Sequence, residues 1–332
     1  MQDEKTETLP ESQTGEEQKQ GQSSKDSPVA MRPDQPLAEA GRVALFKQLE
    51  KLRKNEDKAR EGEDPEGVHD MRVATRRLRA GLTIMEETVY EPEETEYFRR
   101  KLRGLAQALG AVRDSDVLLE HLDQYRAALP GEKLVGLETL RETLEKRRED
   151  ARKKMIKVLD RKKTAQLLDD LDEFLTTPGE GVRPGPDDKY EAGPTLVRHF
   201  SGSTILRRYE EVLAYETRLP EAKHEVLHRL RVACKHLRYT LEFFEEALPS
   251  ETQKLIEQLI MVQDHLGRLQ DHYVAIELID DLERDDPENE ALKDYAAART
   301  AEAEKLVQEF QTLWPTISGP EYRKKLLTVL VG

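Results

Sequence analysis

From Pro36 onward, apolar residues recur three and four positions apart, the period of helices that bury one side. The pattern runs through LFKQLEKLRK, MRVATRRLRAGLTIM, KLRGLAQALGAVRDSDVLLEHL and KLVGLETLRETLEKRREDARKKMIKVL, and predicts four helices. Breaks fall at Asp64-Pro65, Glu91-Pro92 and Pro130-Gly131, where proline suits a first helical turn or a stop. TTPGEGVRPGPDDKYEAGP, dense in Pro and Gly, reads as a linker. The helical period resumes in STILRRYEEVLAYET, EVLHRLRVACKHLRYTLEFFEEAL, LIEQLIMVQDHLGRLQDHYVAIELIDDL and ALKDYAAARTAEAEKLVQEFQTL. No strand-like alternation of convincing length interrupts it, so the expected class is all-α, two four-helix bundles in sequence.

The second set of helices repeats the first. His69, Arg72, Val73, Ala74, Leu78 and Arg79 recur at a shift of 159 as His228, Arg231, Val232, Ala233, Leu237 and Arg238, and Arg76 becomes Lys235. A weaker echo sets LGAVRDSDV against LGRLQDHYV at a shift of 157, pairing Asp114 with Asp271. Two echoes in the same order predict an internal duplication with pseudo-twofold symmetry. The expected organisation is a repeat over residues 36–176, a linker over 177–200 and a second repeat over 201–328. Residues 1–35, rich in Glu, Gln, Ser, Lys and Pro, bury too little to offset their ordering entropy and are expected to be a disordered tail.

Composition sharpens the picture where charge is concerned. The 332 residues carry a formal net charge of −14, with 36% charged and 5% aromatic residues, as suits long amphipathic helices. No apolar run reaches a membrane span, and the N-terminus lacks the apolar region of a secretory signal. The single cysteine, Cys234, fits a reducing cytoplasm. Against that acidity, HDMRVATRRLR and HRLRVACKHLR concentrate positive charge. At about 100° per residue, His69, Arg72, Arg76 and Arg79 fall within about 80° of one another, opposite Met71, Ala74, Leu78, Leu82 and Met85. His228, Arg231, Lys235 and Arg238 form the same stripe, opposite Leu230, Leu237, Leu241 and Phe244.

A single basic stripe is ordinarily a solvated face, but here residue type and spacing are kept twice while neighbouring exposed positions drift. Arginine suits bidentate contact with phosphate oxygens, so the pattern points to an extended polyanion site. The repeated His-x-x-Arg-Val-x-x-(Arg/Lys)-x-Leu-Arg helix resembles the hallmark of the CHAD domain, the conserved histidine α-helical domain, over about residues 36–328. The resemblance implies two four-helix bundles whose basic faces line a central cavity that binds inorganic polyphosphate, with association to polyphosphate granules. It carries over to His69, Arg72, Arg76, Arg79, His228, Arg231, Lys235 and Arg238. Lys47, Arg207 and Arg208 on the first helix of each repeat align more loosely, and Arg103, with Arg99 and Arg100, opens the third helix. CHAD domains often follow a triphosphate-tunnel domain, for which nothing upstream offers material, so a stand-alone, non-enzymatic member is expected, with no cofactor and no metal.

Other classes compete for the same residues. His69 and His228 with Asp114, Asp116, Asp271 and His272 are candidates for a metal-dependent phosphohydrolase, yet no metal-ligand spacing is present. Asp114 and Asp271 read better as partners that orient a motif arginine, cap or salt-bridge. Nucleic acid is the third class and an unlikely partner, because Tyr239 is the only aromatic near either stripe. Arg77 lies off the stripe and reads as peripheral. EKRREDARKKMIK reads as a solvated face, some of whose lysines could border the cavity. Cys234 and Trp314 read as packing residues.

Overall fold

The structure, a computed structural model, describes residues 30–62, 64–130, 134–184, 195–221 and 223–331. Its main helices are α1 (Leu37–Lys54), α2 (Glu56–Glu61), α3 (Pro65–Thr88), α4 (Pro92–Ala127), α5 (Glu138–Leu159) and α6 (Lys162–Thr176). After the linker come α7 (Val197–Leu213), α8 (His224–Phe244), α9 (Thr252–Asp285), α10 (Glu290–Leu313), α11 (Pro315–Ser318) and α12 (Pro320–Val331). Among the described residues the only extended pairings are isolated bridges, Pro36 with Leu196 and Tyr90 with Val182, so the protein is all-α as expected. No helix among them is long and apolar enough to cross a membrane.

The helix ends follow from local chemistry. Asp64 caps α3 by accepting from the Glu66 N–H at 2.9 Å, and Pro65 takes the first helical position, where a missing N–H costs nothing. Asn289 caps α10 by accepting from the Leu292 N–H. Within the first half, α1 packs on α3, α3 on α4, and α4 on α5; within the second, α7 packs on α8, α8 on α9, and α9 on α10. The two motif helices, α3 and α8, pack on each other. Gly81 sits where α1, α3 and α8 converge: a Cβ there would lie 2.7 Å from Leu45 and 3.1 Å from Phe243, so only glycine admits this approach.

Both apolar stripes are buried as the pattern predicts: Met71, Leu78, Leu82 and Met85 on α3, and Leu230, Leu237, Leu241 and Phe244 on α8, are fully enclosed. Full burial of such a side chain stabilises by about 1.5–3 kcal/mol, so these two faces anchor the motif helices firmly. The larger apolar cluster draws on both halves of the chain. A smaller one joins Leu118, Leu122, Leu140 and Leu144 to Ala275, Ile279, Leu292 and Tyr295, so the halves share core at this end as well.

Two segment boundaries differ from expectation. The tail was expected to extend through residue 35; residues 1–29 lie outside the described residues, but 30–35 are structured. Met31 is buried, and the Gln35 and Pro33 carbonyls accept from the Val197 and Arg198 N–H groups, which ties this strand of chain to the start of α7. The linker begins after Thr176 as expected but ends at Leu196, four residues early, and its first part is tied down. Arg183 donates to the Tyr90 and Glu86 carbonyls, and helix resumes at Val197. Residues 185–194 of the linker lie outside the described residues. Backbone pairing across distant segments explains both, and it leaves no periodic trace in sequence.

Candidate functional site

With their apolar stripes fixed in the core, α3 and α8 turn their cationic stripes into one cavity of about 630 Å³. His69, Arg72 and Arg76 enter it from α3, and Arg231, Lys235 and Arg238 from α8. α4 and α9 complete its walls, and the second sequence echo explains how. Gly110 of α4 lies against Arg72, and Gly267 of α9 against Arg231: a Cβ at either glycine would be 3.9 and 3.8 Å from the respective guanidinium nitrogens. The aspartates of the same echo stand beside the same arginines. Asp114 is 3.9 Å from Arg72, and Asp271 acts electrostatically on Arg231. Each Leu-Gly…Asp segment therefore supports one motif arginine, a role the sequence reading offered as one of three.

The electrostatics of this cavity are unusual. Among the described residues, Arg76, Arg79, Arg231 and Lys235 form no ion pair, although other cations do: Arg53 with Asp169 and Asp172, Arg60 with Glu56, Arg148 with Asp116. The Nε groups of Arg76, Arg79, Arg231 and Arg238, and the Tyr239 hydroxyl, are buried without a hydrogen-bond partner. Arg76 and Arg238 lie over the Tyr239 ring at 5.7 and 5.1 Å, a cation–π contact that offsets only part of this. Glu242 is the closest counter-charge, 3.3 Å from Arg238 and 3.1 Å from Arg77, while Asp114 stands 3.9 Å from Arg72.

Burial is the main reason that the cations here are destabilised. It lowers the pKa of Arg76, opposed by Tyr239 and reinforced by Arg72 and Arg238. It lowers that of Arg231, opposed by Asp271. Arg79 is lowered by burial and then by Arg103 and Arg99. Guanidinium stays charged regardless, whereas lysine need not. Lys235, buried and crowded by Arg231, Arg76, Arg72 and Arg238, is held down to about 7. Asp271 is pushed up to about 6 by burial, with Arg231 opposing and Asp114 adding to the rise. Unpaired buried charge costs several kcal/mol per group. An anion brought into the cavity removes that cost.

The remaining expected residues are distributed more widely. Arg79 lines two adjoining hollows, one of about 810 Å³ and one of about 210 Å³, and Arg208 lines the smaller. Arg208 is also held by Glu87 and Glu211, at 2.6 and 2.9 Å. Lys47 lies apart, 3.1 Å from Glu246. Three more residues line none of these hollows. Arg207 pairs with Glu87, Arg103 is exposed near Arg79, and His228 is exposed with its Nδ1 2.7 Å from Gln270 Oε1. His228 thus parts company with His69, because Gln270 on α9 holds its ring at the outer edge. Conversely, Arg77, read as peripheral, lines the central cavity, together with Arg113 and Arg268, which carried no sequence signal beyond their charge.

The residues of the hydrolase alternative are not assembled. Asp116 is bound to Arg148 at 2.5 Å, and His272 stacks on His121 with ring centroids 6.0 Å apart. Of that set only His69, Asp114 and Asp271 face the cavity. One trio among the described residues, Glu66, His69 and Asp70, brings three ligand atoms within 4.8 Å of one another. All three come from a single turn at the start of α3, and both carboxylates are exposed.

Comparison with known proteins places this architecture. The family model for the CHAD domain matches residues 43–280. Two uncharacterized proteins of Mycobacterium tuberculosis, from strains CDC 1551 / Oshkosh and ATCC 25618 / H37Rv, are 27% identical over 249 residues. That match covers 73% of this chain but 45% of theirs, so the chain spans about half the length of these relatives. The crystal structure of the CHAD domain from the plant Ricinus communis superposes with a TM-score of 0.64 and 26% identity, covering 90% of this chain and 94% of that one. PptA from Streptomyces chartreusis shares the fold, with a TM-score of 0.63, 16% identity, and coverage of 84% and 99%. The chain belongs to the CHAD domain family.

Proposed function

We propose that this protein binds inorganic polyphosphate in the cavity between α3 and α8, without breaking it down, in the cytoplasm and in association with polyphosphate granules. One observation carries the reading: Arg76, Arg231 and Lys235 are desolvated, lack ion-pair partners among the described residues, and face the same space as Arg72 and Arg238. The association of CHAD domains with polyphosphate supports the same ligand class. A flexible chain of closely spaced phosphates engages several fixed guanidinium groups at once. Each well-formed charge-assisted hydrogen bond contributes about 1.5–3 kcal/mol, and linked contacts reinforce one another through effective concentration. Duplex nucleic acid suits the cavity less well, since its charges lie on the outside of a stiff rod. Tyr239, whose ring is already covered by two arginines, offers no free stacking surface to single strands.

The test is a titration with long-chain polyphosphate at two salt concentrations. The wild type is compared with a variant carrying Arg72→Glu, Arg76→Glu, Arg231→Glu and Lys235→Glu. Binding should be strong and salt-sensitive in the wild type and lost in the variant; equal affinity of both proteins rejects the assignment. A phosphate-release assay with added divalent metal should show no turnover, and labelled RNA or DNA should be displaced by polyphosphate far better than the reverse.

A further inference from the structure

Beside the central cavity lies a second groove whose cations on α5 have no role in the function proposed so far. α5, packed against α4, faces Arg72, Arg76 and Arg79 across the hollow of about 810 Å³. Thr143, Lys146, Arg147, Asp150 and Lys154 line it from α5. Their spacing of three, four and seven residues puts them on one side of the helix, over a length of about 16 Å. Arg72, Arg76 and Asp114 border both this hollow and the central cavity, so the two adjoin at those side chains.

Apart from Lys157, the α5 cations outside the groove are held by other groups of the protein. Arg141 is bound by Glu145, Arg148 by Asp116, and Lys153 by Glu149, while Arg152 donates to the carbonyls of Ala59, Arg60 and Glu61. Lys146, Arg147 and Lys154 have no ion-pair or hydrogen-bond partner among the described residues, and they are exposed. Among the described residues, α10 of the second half offers no counterpart. α10 packs on α9 as α5 packs on α4, but its cations are all engaged: Lys293 by Glu290, Lys305 by Glu302, and Arg299 over the rings of Tyr125 and Tyr295.

We infer that a linear polyphosphate chain leaves the central cavity on one side only, passing over Arg72 and Arg76 into the α3–α4–α5 groove, where Lys146, Arg147 and Lys154 hold it. The inference rests on the proposed function and adds a direction and a length requirement to it. A short oligophosphate fills the central cavity and gains nothing from α5. A long chain reaches both, and its second segment binds at the high effective concentration set by the first. The site therefore selects for chain length, and each cation added along the groove adds to the salt dependence of long-chain binding alone.

The experiment compares tripolyphosphate with a long-chain preparation, each titrated into the full chain at fixed salt. Lys146→Gln with Lys154→Gln removes two groove cations. Lys162→Gln with Lys163→Gln removes the same charge from an exposed turn of α6 that lines none of these hollows. The groove variant should lose about tenfold in long-chain affinity or more. Its tripolyphosphate affinity and its thermal stability should stay unchanged, and the α6 variant should match the wild type on both ligands. Unchanged long-chain affinity in the groove variant overturns the inference. So does an equal loss for both ligands, or an equal loss in the α6 variant, because either reports a diffuse charge effect. Failure of the parent reading looks different: the wild type then binds neither ligand.

Discussion

Lys235 makes the site's affinity depend on pH in a way that an arginine in its place would not. Its ammonium stands among Arg72 and Arg76 of α3 and Arg231 and Arg238 of α8, with Asp114 of α4, Glu242 of α8, and Asp264 and Asp271 of α9 as the carboxylates facing the same cavity. Burial and these cations hold it down to about 7, against about 10.4 for a free lysine. A phosphate about 4 Å away, at an effective dielectric near 20, favours the charged form by about 4 kcal/mol. That is equivalent to about three pH units and returns the bound-state pKa to about 10. Because the bound state holds the proton more tightly, binding takes up a proton. The full affinity is present below pH 7 and is lost progressively between about 7 and about 10, with a limiting slope of tenfold per pH unit. From pH 7 to pH 9 the wild type should weaken by roughly fiftyfold.

Lys235→Arg keeps the charge and cannot lose it, so its affinity should be nearly flat over the same range. Asp271, held up to about 6, also favours tighter binding at lower pH, but its window opens about a unit below that of Lys235. It therefore adds a slope near pH 6 that both proteins share. Titration of the polymer's own end groups is common to both proteins as well and cancels in the comparison. Calorimetry in buffers of different ionisation enthalpy measures the proton count directly. Near pH 8.5 it should approach one proton per site in the wild type and about zero in Lys235→Arg. Equal pH slopes and equal proton counts in the two proteins would refute the argument.

Three further outcomes follow from the same contacts. Arg76→Met removes an unpaired, buried charge while keeping an unbranched apolar stem. Because the thioether is shorter than the guanidinium side chain, part of the gain is lost to packing, and the ligand-free fold should be stabilised by roughly 1–3 kcal/mol in urea denaturation while polyphosphate binding weakens. Glu242→Gln releases Arg238 and Arg77 from their counter-charge and should raise polyphosphate affinity several-fold, read by the same titration. Leu237→Ala, on the buried side of α8, should cost about 2–5 kcal/mol of stability yet leave binding intact below its melting transition.

The sequence carried the helices and the identity of the motif stripes, because one physical rule governs both. A helix that buries one face repeats its apolar residues with a period near 3.6, and the opposite face is then set by geometry. That rule placed Met71, Leu78, Leu230 and Leu237 in the core, and placed Arg72, Arg76, Arg231 and Lys235 on the far side. It could not say which cations keep a partner. Arg207 and Lys47 look like Arg231 in sequence, yet Glu87 and Glu246 occupy them from positions more than a hundred residues away. His69 and His228 hold equivalent places in the repeat, yet Gln270 holds one at the edge while the other lines the cavity. Arg113, Arg268 and the groove cations of α5 were hidden for the same reason. Whether a basic helix face meets solvent or another charged helix depends on packing, and helical periodicity is silent on it.

Pairing, more than the amount of positive charge, therefore distinguishes this site within an acidic chain of net charge −14. Carboxylates are plentiful, and structural cations such as Arg53, Arg60 and Arg148 take them. Among the described residues, Arg76, Arg231 and Lys235 are left without ion-pair partners, Arg238 and Arg77 share Glu242, and Arg72 has only Asp114 at 3.9 Å, in surroundings that penalise their charge. An arrangement so costly in the empty protein lowers its stability, and a polyanion that relieves it binds the folded state alone. A net charge of −14 disfavours loose association of a polyanion elsewhere on the chain, so selectivity for the cavity would rest on the same unpaired cations. Ligand stabilisation and site selectivity then share one origin. Saturating polyphosphate should raise the melting temperature most in the wild type and least in Arg76→Met, because in that variant part of the penalty is already gone.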